Sequence, residues 1–354
     1  MAAHAPIAAQ DLQSFGDESQ RSRSDSDILV SEYHAVPLHV RAQAEAWELP
    51  REEIQFANVI GEGEGGIVYQ CRWRGLDCVA KKLAQDSNAS AEYADMINEL
   101  STVSRLRHPN LVLFLGACTK GNGPLIILSE YLPGGNLADY AAKQRQLKSR
   151  SRGRPSMEIA YTWCMDLARA VCYLHNCTTP VIHRDLKPAN LLLTDDLRLK
   201  VSDFGLCKTL LKDSADGKPY KMTGNKGTLQ YMAPEVIQCL PNYNEKVDIY
   251  SAGMIFWFIG MGCEPFEGVG AEVLSQWIAS QGKRPPLEEI AMRSSRAFSP
   301  SCWLGEEFGS LINRCWDGEP ELRPSADQVV EELELIWKNE KFGYCQSSFA
   351  VSFC

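Results

Sequence analysis

At 354 residues the chain is longer than one small domain and shorter than three, and a 45% hydrophobic content gives it enough apolar mass to exclude a wholly disordered or fibrous protein. Its 36 Lys and Arg against 45 Asp and Glu leave a net charge of −9. That argues against a nucleic-acid partner, since gripping a phosphate backbone calls for a basic surface, while a local site for a small phosphorylated molecule remains open.

The thirteen cysteines are odd in number and scattered without a C-x-x-C pair, which disfavours zinc ribbons and disulfide frameworks and fits reduced thiols in the cytoplasm. The first twenty residues hold no Lys or Arg but do hold Asp11, Asp17 and Glu18, so neither a signal peptide nor a mitochondrial presequence is expected. Met-Ala at the start and VSFC at the end match no lipidation signal. The longest apolar run, Ile249 to Met261, spans thirteen residues, short of the roughly 20 needed to cross a bilayer. The expectation is a soluble cytoplasmic protein with no membrane insertion.

Residues 1–46, rich in Ala, Ser, Gln and Asp, read as a disordered extension, with order beginning near Trp47. From Ile54 to about Lys82, β-branched and aromatic residues broken by glycines and by Arg74-Gly75 predict strands. Met96, Ile97, Leu100, Val103 and Leu106 recur every three or four positions and predict one helix. Two more strands are predicted around 111–115 and 125–128, and beyond Leu137 the periods become helical. The basic run 143–154 reads as a solvated loop, with a docking site for an acidic partner as the alternative.

Several stretches carry chemistry. Gly61-x-Gly63-x-x-Gly66-x-Val68 could open a Rossmann helix, but the residues that follow, IVYQCRW, alternate as a strand. A glycine loop between two strands can lie close over phosphates. Fourteen residues after Val68 comes Lys82, in Val79-Ala80-Lys81-Lys82, and Glu99 lies on the apolar stripe of its helix, where a carboxylate needs a partner. Lys82 is the natural partner; a solvated strand lysine is the alternative. Then come VIHRDLKPANLLL at 181–193, KVSDFGLCK at 200–208 and YMAPEV at 231–236.

These motifs, in this order and spacing, resemble the eukaryotic protein kinase family over roughly Trp47 to Trp337. The resemblance implies an α+β, two-lobed fold: a small antiparallel-sheet N-lobe with one main helix (about 47–130) and a larger, mainly helical C-lobe (about 133–338), with 339–354 as a tail. It implies ATP and Mg2+ as cofactors, Asp185 as the group that orients the substrate hydroxyl and takes its proton, and Lys187 as a contact to the γ-phosphate. Lys82 with Glu99 would neutralise nucleotide phosphates. Asn190 and Asp203 would supply oxygen ligands to the metal. Gly61, Glu62, Gly63, Glu64, Gly65, Gly66 and Ile67 would form the loop over the phosphates. Ile60, Val68, Ala80 and Leu192 would enclose the adenine, with Ser129 behind it and Glu130 and Leu132 at the hinge; generic core is the alternative for the apolar positions.

The same resemblance implies a column of Val103, Phe114, His183 and Phe204, a Glu235–Arg323 pair, and Asp248 bracing the catalytic loop. Lys187 and Gly227-Thr228-Leu229-Gln230-Tyr231 look like serine/threonine kinases, whereas Trp73-Arg74-Gly75, EYLPGGNL at 130–137 and CWDGEPELRPS at 315–325 look like tyrosine kinases. The blend resembles the tyrosine-kinase-like group that contains Raf and the mixed-lineage kinases. A serine/threonine kinase acting on proteins in intracellular signalling is therefore expected, with an upstream kinase or a second copy in trans as further partners. A pseudokinase scaffold and a dual-specificity or tyrosine kinase are the alternatives. Phosphate on Thr223 is expected to pair with an otherwise unpaired Arg184 and order the activation segment.

Overall fold

The structure is a computed structural model that describes residues 36–63, 66–83, 91–121, 123–147, 154–209, 229–240, 243–287 and 305–350. A short helix, α1 (Leu38–Ala44), precedes three antiparallel strands, β1 (Ile54–Gly63), β2 (Gly66–Trp73) and β3 (Leu76–Lys82). Helix α2 (Ala91–Val103) follows, then β4 (Phe114–Cys118) and β5 (Ile126–Glu130), closing a sheet of order β1-β2-β3-β5-β4. The β2–β3 hairpin turns on Arg74 and Gly75, both at positive φ (47° and 85°), the two-residue geometry whose twist suits antiparallel strands.

The sheet divides its side chains by the period of two. One face carries Phe114, Ala117, Leu125 and Ile127, which pack with Met96 and Leu100 of α2. The other carries Cys71, Cys78, Ala80, Ile126 and Leu128, covered by Leu49 and Ile54. The expected strand at 111–115 starts later, at Phe114, because Leu111 is drawn into a bridge with Val201 of the second lobe.

The second lobe opens with α3 (Leu137–Leu147) and α4 (Met157–His175) and then forms two short ladders. These are β6 (Val181–Ile182) with β9 (Lys208–Thr209), and β7 (Leu191–Leu193) with β8 (Leu199–Val201). Helices α5 (Pro234–Ile237), α6 (Lys246–Met261), α7 (Ala271–Ala279), α8 (Glu306–Cys315) and α9 (Ala326–Ala350) complete it. Every residue of α6 from Val247 to Met261 is buried, so the long apolar run is the axis of the lobe. A Cβ on Gly253 would lie 2.8 Å from the Cβ of Cys315, so glycine lets α8 pack against α6. Glu235 and Arg323 form the expected pair, bidentate at 2.6 and 2.8 Å and buried. Among the described residues no helix is long and apolar enough to cross a membrane.

Three boundaries differ from expectation. Order begins before Trp47, since α1 is helical with Ala42 fully buried and Arg41 nearly so. The last helix runs through the expected domain end at 338 as far as Ala350. Lys143 and Arg145 of the basic run lie on α3, Arg145 facing Glu267 at 3.5 Å, so that stretch is not one solvated loop; residues 148–153 lie outside the described residues.

Candidate active site

Cross-strand register decides which lysine serves the cleft. Val68 pairs with Lys81, Lys81 with Ile127 and Val79 with Ser129, so these side chains share the face that looks toward α2. Lys81 Nζ lies 2.6 Å from Glu99 Oε2 and 3.6 Å from Asp203 Oδ1. The expected Lys82–Glu99 pair is therefore corrected to Lys81–Glu99. Lys82 pairs across the ladder with Ile67 and Ile126, on the outer face. Ala80 moves with it: it is fully buried in the outer cluster opposite Leu128, and Val79 takes its place on the cleft face. Neighbours in a strand point to opposite sides, so one position exchanges the whole set. Burial would weaken the Lys81 ammonium, but Glu99 and Asp203 outweigh it and raise its pKa.

Over this lysine lies the glycine loop. A Cβ on Gly66 would fall 2.4 Å from the Lys82 carbonyl oxygen, which ties the loop's return strand tightly to β3. Gly61 and Glu62 pair with Val68 and Ile67, Gly63 pairs with Gly66, and Ile60 sits half-exposed at the bulge between Val59 and Gly61. Glu64 and Gly65 lie outside the described residues. Ile67, opposite Lys82, shares that residue's outer face and reaches the loop side only through its backbone.

Below, the loop after β6 is held from beneath. Asp248 of α6, with no exposed surface, accepts from the backbone N–H of His183 and of Arg184, both at 2.8 Å, and lies 2.9 Å from His175 Nε2. Burial opposes the Asp248 charge, yet the hydrogen bond and charge of His175, with help from His183 and the Arg184 amide, keep its carboxyl below the ordinary value. Arg184 sits at φ 67° and Asp203 at φ 62°, left-handed backbone that non-glycine residues hold only where surroundings demand it. The Arg184 guanidinium is not without partners: it donates to the Leu206 carbonyl at 2.6 Å and the Tyr243 hydroxyl at 2.9 Å, both neutral groups. Thr223 lies outside the described residues.

Asp185 is almost buried. Its Oδ2 accepts from Lys187 Nζ at 2.6 Å and from Asn190 Nδ2 at 2.9 Å. Its Oδ1 is buried and has no partner among the described residues. A buried carboxylate oxygen left without a donor is costly unless something else brings one. With the Asn190 nitrogen committed to Asp185, the amide oxygen is the end left for a cation. Asp203 is 46% exposed on its side chain. Burial works to raise its carboxyl, but Lys81, His183 and Lys187 outweigh it and keep the group low, hence anionic at neutral pH. One anionic carboxylate and one amide oxygen fit a hard divalent ion that takes its remaining ligands from phosphate and water.

The His183 and Phe204 rings of the expected column lie 5.2 Å apart, and Val103 packs against both the cluster containing Phe204 and the one containing Phe114. Ser129 and Glu130 end β5, and Leu132 is buried just beyond it. Glu130 Oε1 accepts twice, from Leu113 N–H at 2.7 Å and from Lys200 Nζ at 2.6 Å. Leu192 is half-buried between the fully buried Leu191 and Leu193, on the alternate face of β7.

The sequence pattern of the protein kinase domain matches residues 54–333. Serine/threonine-protein kinase VIK of Arabidopsis thaliana is 35% identical over 295 residues, covering 82% of this chain and 62% of that protein. Mitogen-activated protein kinase kinase kinase 7 of Homo sapiens is 33% identical over 294 residues, covering 82% of this chain and 43% of that protein. A probable serine/threonine-protein kinase of Dictyostelium discoideum is 32% identical over 290 residues, 28% of its own length. This chain therefore spans less than two thirds of each relative.

Proposed function

Because the chain belongs to the protein kinase family, with serine/threonine kinases among its relatives, we propose that it transfers the γ-phosphoryl group of ATP to serine and threonine hydroxyls of other proteins. The observation that carries this reading is the divided Asp185 carboxylate: one oxygen held by Lys187 and Asn190, the other buried with no partner among the described residues. An incoming hydroxyl would donate to Oδ1, be oriented by it and give up its proton there as oxygen bonds to phosphorus and the bond to the leaving ADP oxygen breaks.

Lys81, fixed by Glu99, would hold the nucleotide's phosphates, and Lys187 would offset charge on the group in flight. Asp203 and Asn190 would hold magnesium, which when bound neutralises phosphate charge. Val68 and Val79 above and Leu192 below would enclose the adenine, with Ile60 at its rim. The Glu130 amide already donates to the Leu113 carbonyl at 3.0 Å and the Leu132 carbonyl accepts from Gly135 N–H at 3.3 Å, so the Glu130 carbonyl and the Leu132 N–H would serve the base. The partners that fit are protein substrates, with an upstream kinase or a second copy in trans, in cytoplasmic signalling.

The test is purified chain with Mg-ATP and a generic basic protein, followed by phosphoamino-acid analysis. Phosphoserine and phosphothreonine that vanish in Asp185→Asn are expected. Binding of Mg-ATP without any transfer would make the chain a pseudokinase, and phosphotyrosine alone would overturn the specificity.

A further inference from the structure

Residues 38–49 lie ahead of the part that matches the family pattern, yet they are built into the first lobe. Ala42 is fully buried against the cluster of Met96 and Leu100 from α2. Arg41, 6% exposed, donates from Nη2 to the Ser101 hydroxyl at 3.2 Å. After α1 the chain turns through Trp47 and Glu48, whose N–H groups both donate to the Ala42 carbonyl, and runs beside β4. Leu49 N–H donates to Ala117 and Ala117 N–H to Trp47, at 2.8 and 2.9 Å. The Trp47 ring meets Phe114 edge-on at 5.9 Å. Glu48 accepts from the N–H groups of Thr119 and Lys120, at 3.0 and 3.1 Å. A Cβ on Gly116 would lie 2.6 Å from Leu49 Cγ and 2.8 Å from the Trp47 oxygen, so the strap approaches as closely as a bare backbone permits.

The placement matters because of what α2 carries. Residues two apart on an α-helix point about 200° from one another, so Ser101 faces backward when Glu99 faces Lys81. A grip on Ser101 and Leu100 therefore sets the rotation and depth of the helix that presents Glu99. We propose that residues 38–49 are a positioning strap for α2, with Arg41 as the positioning residue that keeps Glu99 against Lys81. The alternative is that α1 only adds buried area to a small core. The two differ in where the loss falls: a positioning strap acts through Glu99, whereas added core area acts through the stability of the whole lobe.

The catalytic side of this inference rests on the kinase reading, and the experiment separates the two. Arg41→Ala and Arg41→Lys are made in the full chain and in a Glu99→Gln background. Phosphotransfer kinetics, thermal midpoint and amide hydrogen exchange along residues 96–103 are then measured. Arg41→Ala is expected to lower kcat roughly two- to thirtyfold with the peptide KM unchanged. Exchange should accelerate in α2 more than elsewhere, Arg41→Lys should restore both, and Arg41→Ala should add nothing in the Glu99→Gln background. Unchanged kcat and unchanged α2 exchange would overturn the strap, as would losses that multiply in that background or exchange that rises equally in both lobes. If the parent transfers no phosphate, the kinase reading fails by itself, and the exchange comparison still decides whether Arg41 holds α2.

Discussion

Asp248 and Glu99 each steady a cleft residue from behind, one in each lobe, yet their settings differ. Asp248 sits on a helix buried along its length and holds two backbone amides and a histidine at once. Glu99 sits on a helix that rests on a small cluster, the strap and one bond from Asn98 to the Cys207 carbonyl, and among the described residues its side chain makes a single pair across the cleft face. The loop with Asp185 is thus positioned by folding itself. The lysine is positioned by a docked element, which can be displaced without unfolding the larger core. Breaking each centre should therefore give a different signature.

The largest effect on turnover should come from the pair. Lys81→Met removes a cation from the developing charge, and lost electrostatic stabilisation of this kind amounts to roughly 3–4 kcal/mol, or 10²–10³ in rate. Burial already raises the Glu99 carboxyl, so Glu99 can take up a proton once its cation is gone, and the thermal midpoint should fall less than on loss of Asp248. Near-parental kcat/KM in steady-state assays would contradict the assignment. Asp248→Ala should show the converse balance. It strands the buried amide of His183 and the part-buried amide of Arg184, at about 1–3 kcal/mol for a buried one, so the midpoint should fall by several degrees, about 2–4 °C per kcal/mol. A melt indistinguishable from the parent would show that the loop is held some other way.

Acid sharpens the contrast further. The folded-state pKa of Asp248 is depressed, so its contribution is fully present above the unfolded value near about 4 and is lost as pH falls through the folded value. Denaturation followed from pH 6 downward should show a steep acid limb in the parent and a shallower one in Asp248→Asn; equal limbs would remove Asp248 from the account. The smallest effect belongs to Lys82→Met. On the outer face it should change kcat/KM within about twofold, as surface substitutions usually do.

The second-lobe site was readable because its residues travel in contiguous motifs: Asp185, Lys187 and Asn190 lie within six positions, and their mutual hydrogen bonds are local. The brace from Asp248 and the Glu235–Arg323 pair came with the family resemblance, since no spacing links partners so far apart. The lysine did not yield in the same way. Lys81 and Lys82 are chemically equal, adjacent residues of a strand face opposite ways, and nothing in the residues says which face α2 covers. Helix α1 was missed because seven residues, LHVRAQA, carry too short a pattern, and a helix of that length owes its existence to docking rather than to propensity. The run past 338 was missed because GYCQSS interrupts the helical period with a glycine and polar residues.

The Arg74-Gly75 turn joins strands paired residue for residue from Trp73–Leu76 back to Ile67–Lys82. A single-residue deletion there would slide β3 by one position, exchange its two sides and bring Lys82 opposite Val68, where Lys81 now stands, so a cation would still enter the cleft. What would be lost is the seating of Cys78 and Ala80 against Leu128 and Ile126, and of Leu83 beside Met96 and Leu100. The tandem lysines thus make the chemistry tolerant of a reading slip that the packing is not, and it is the packing that keeps the register.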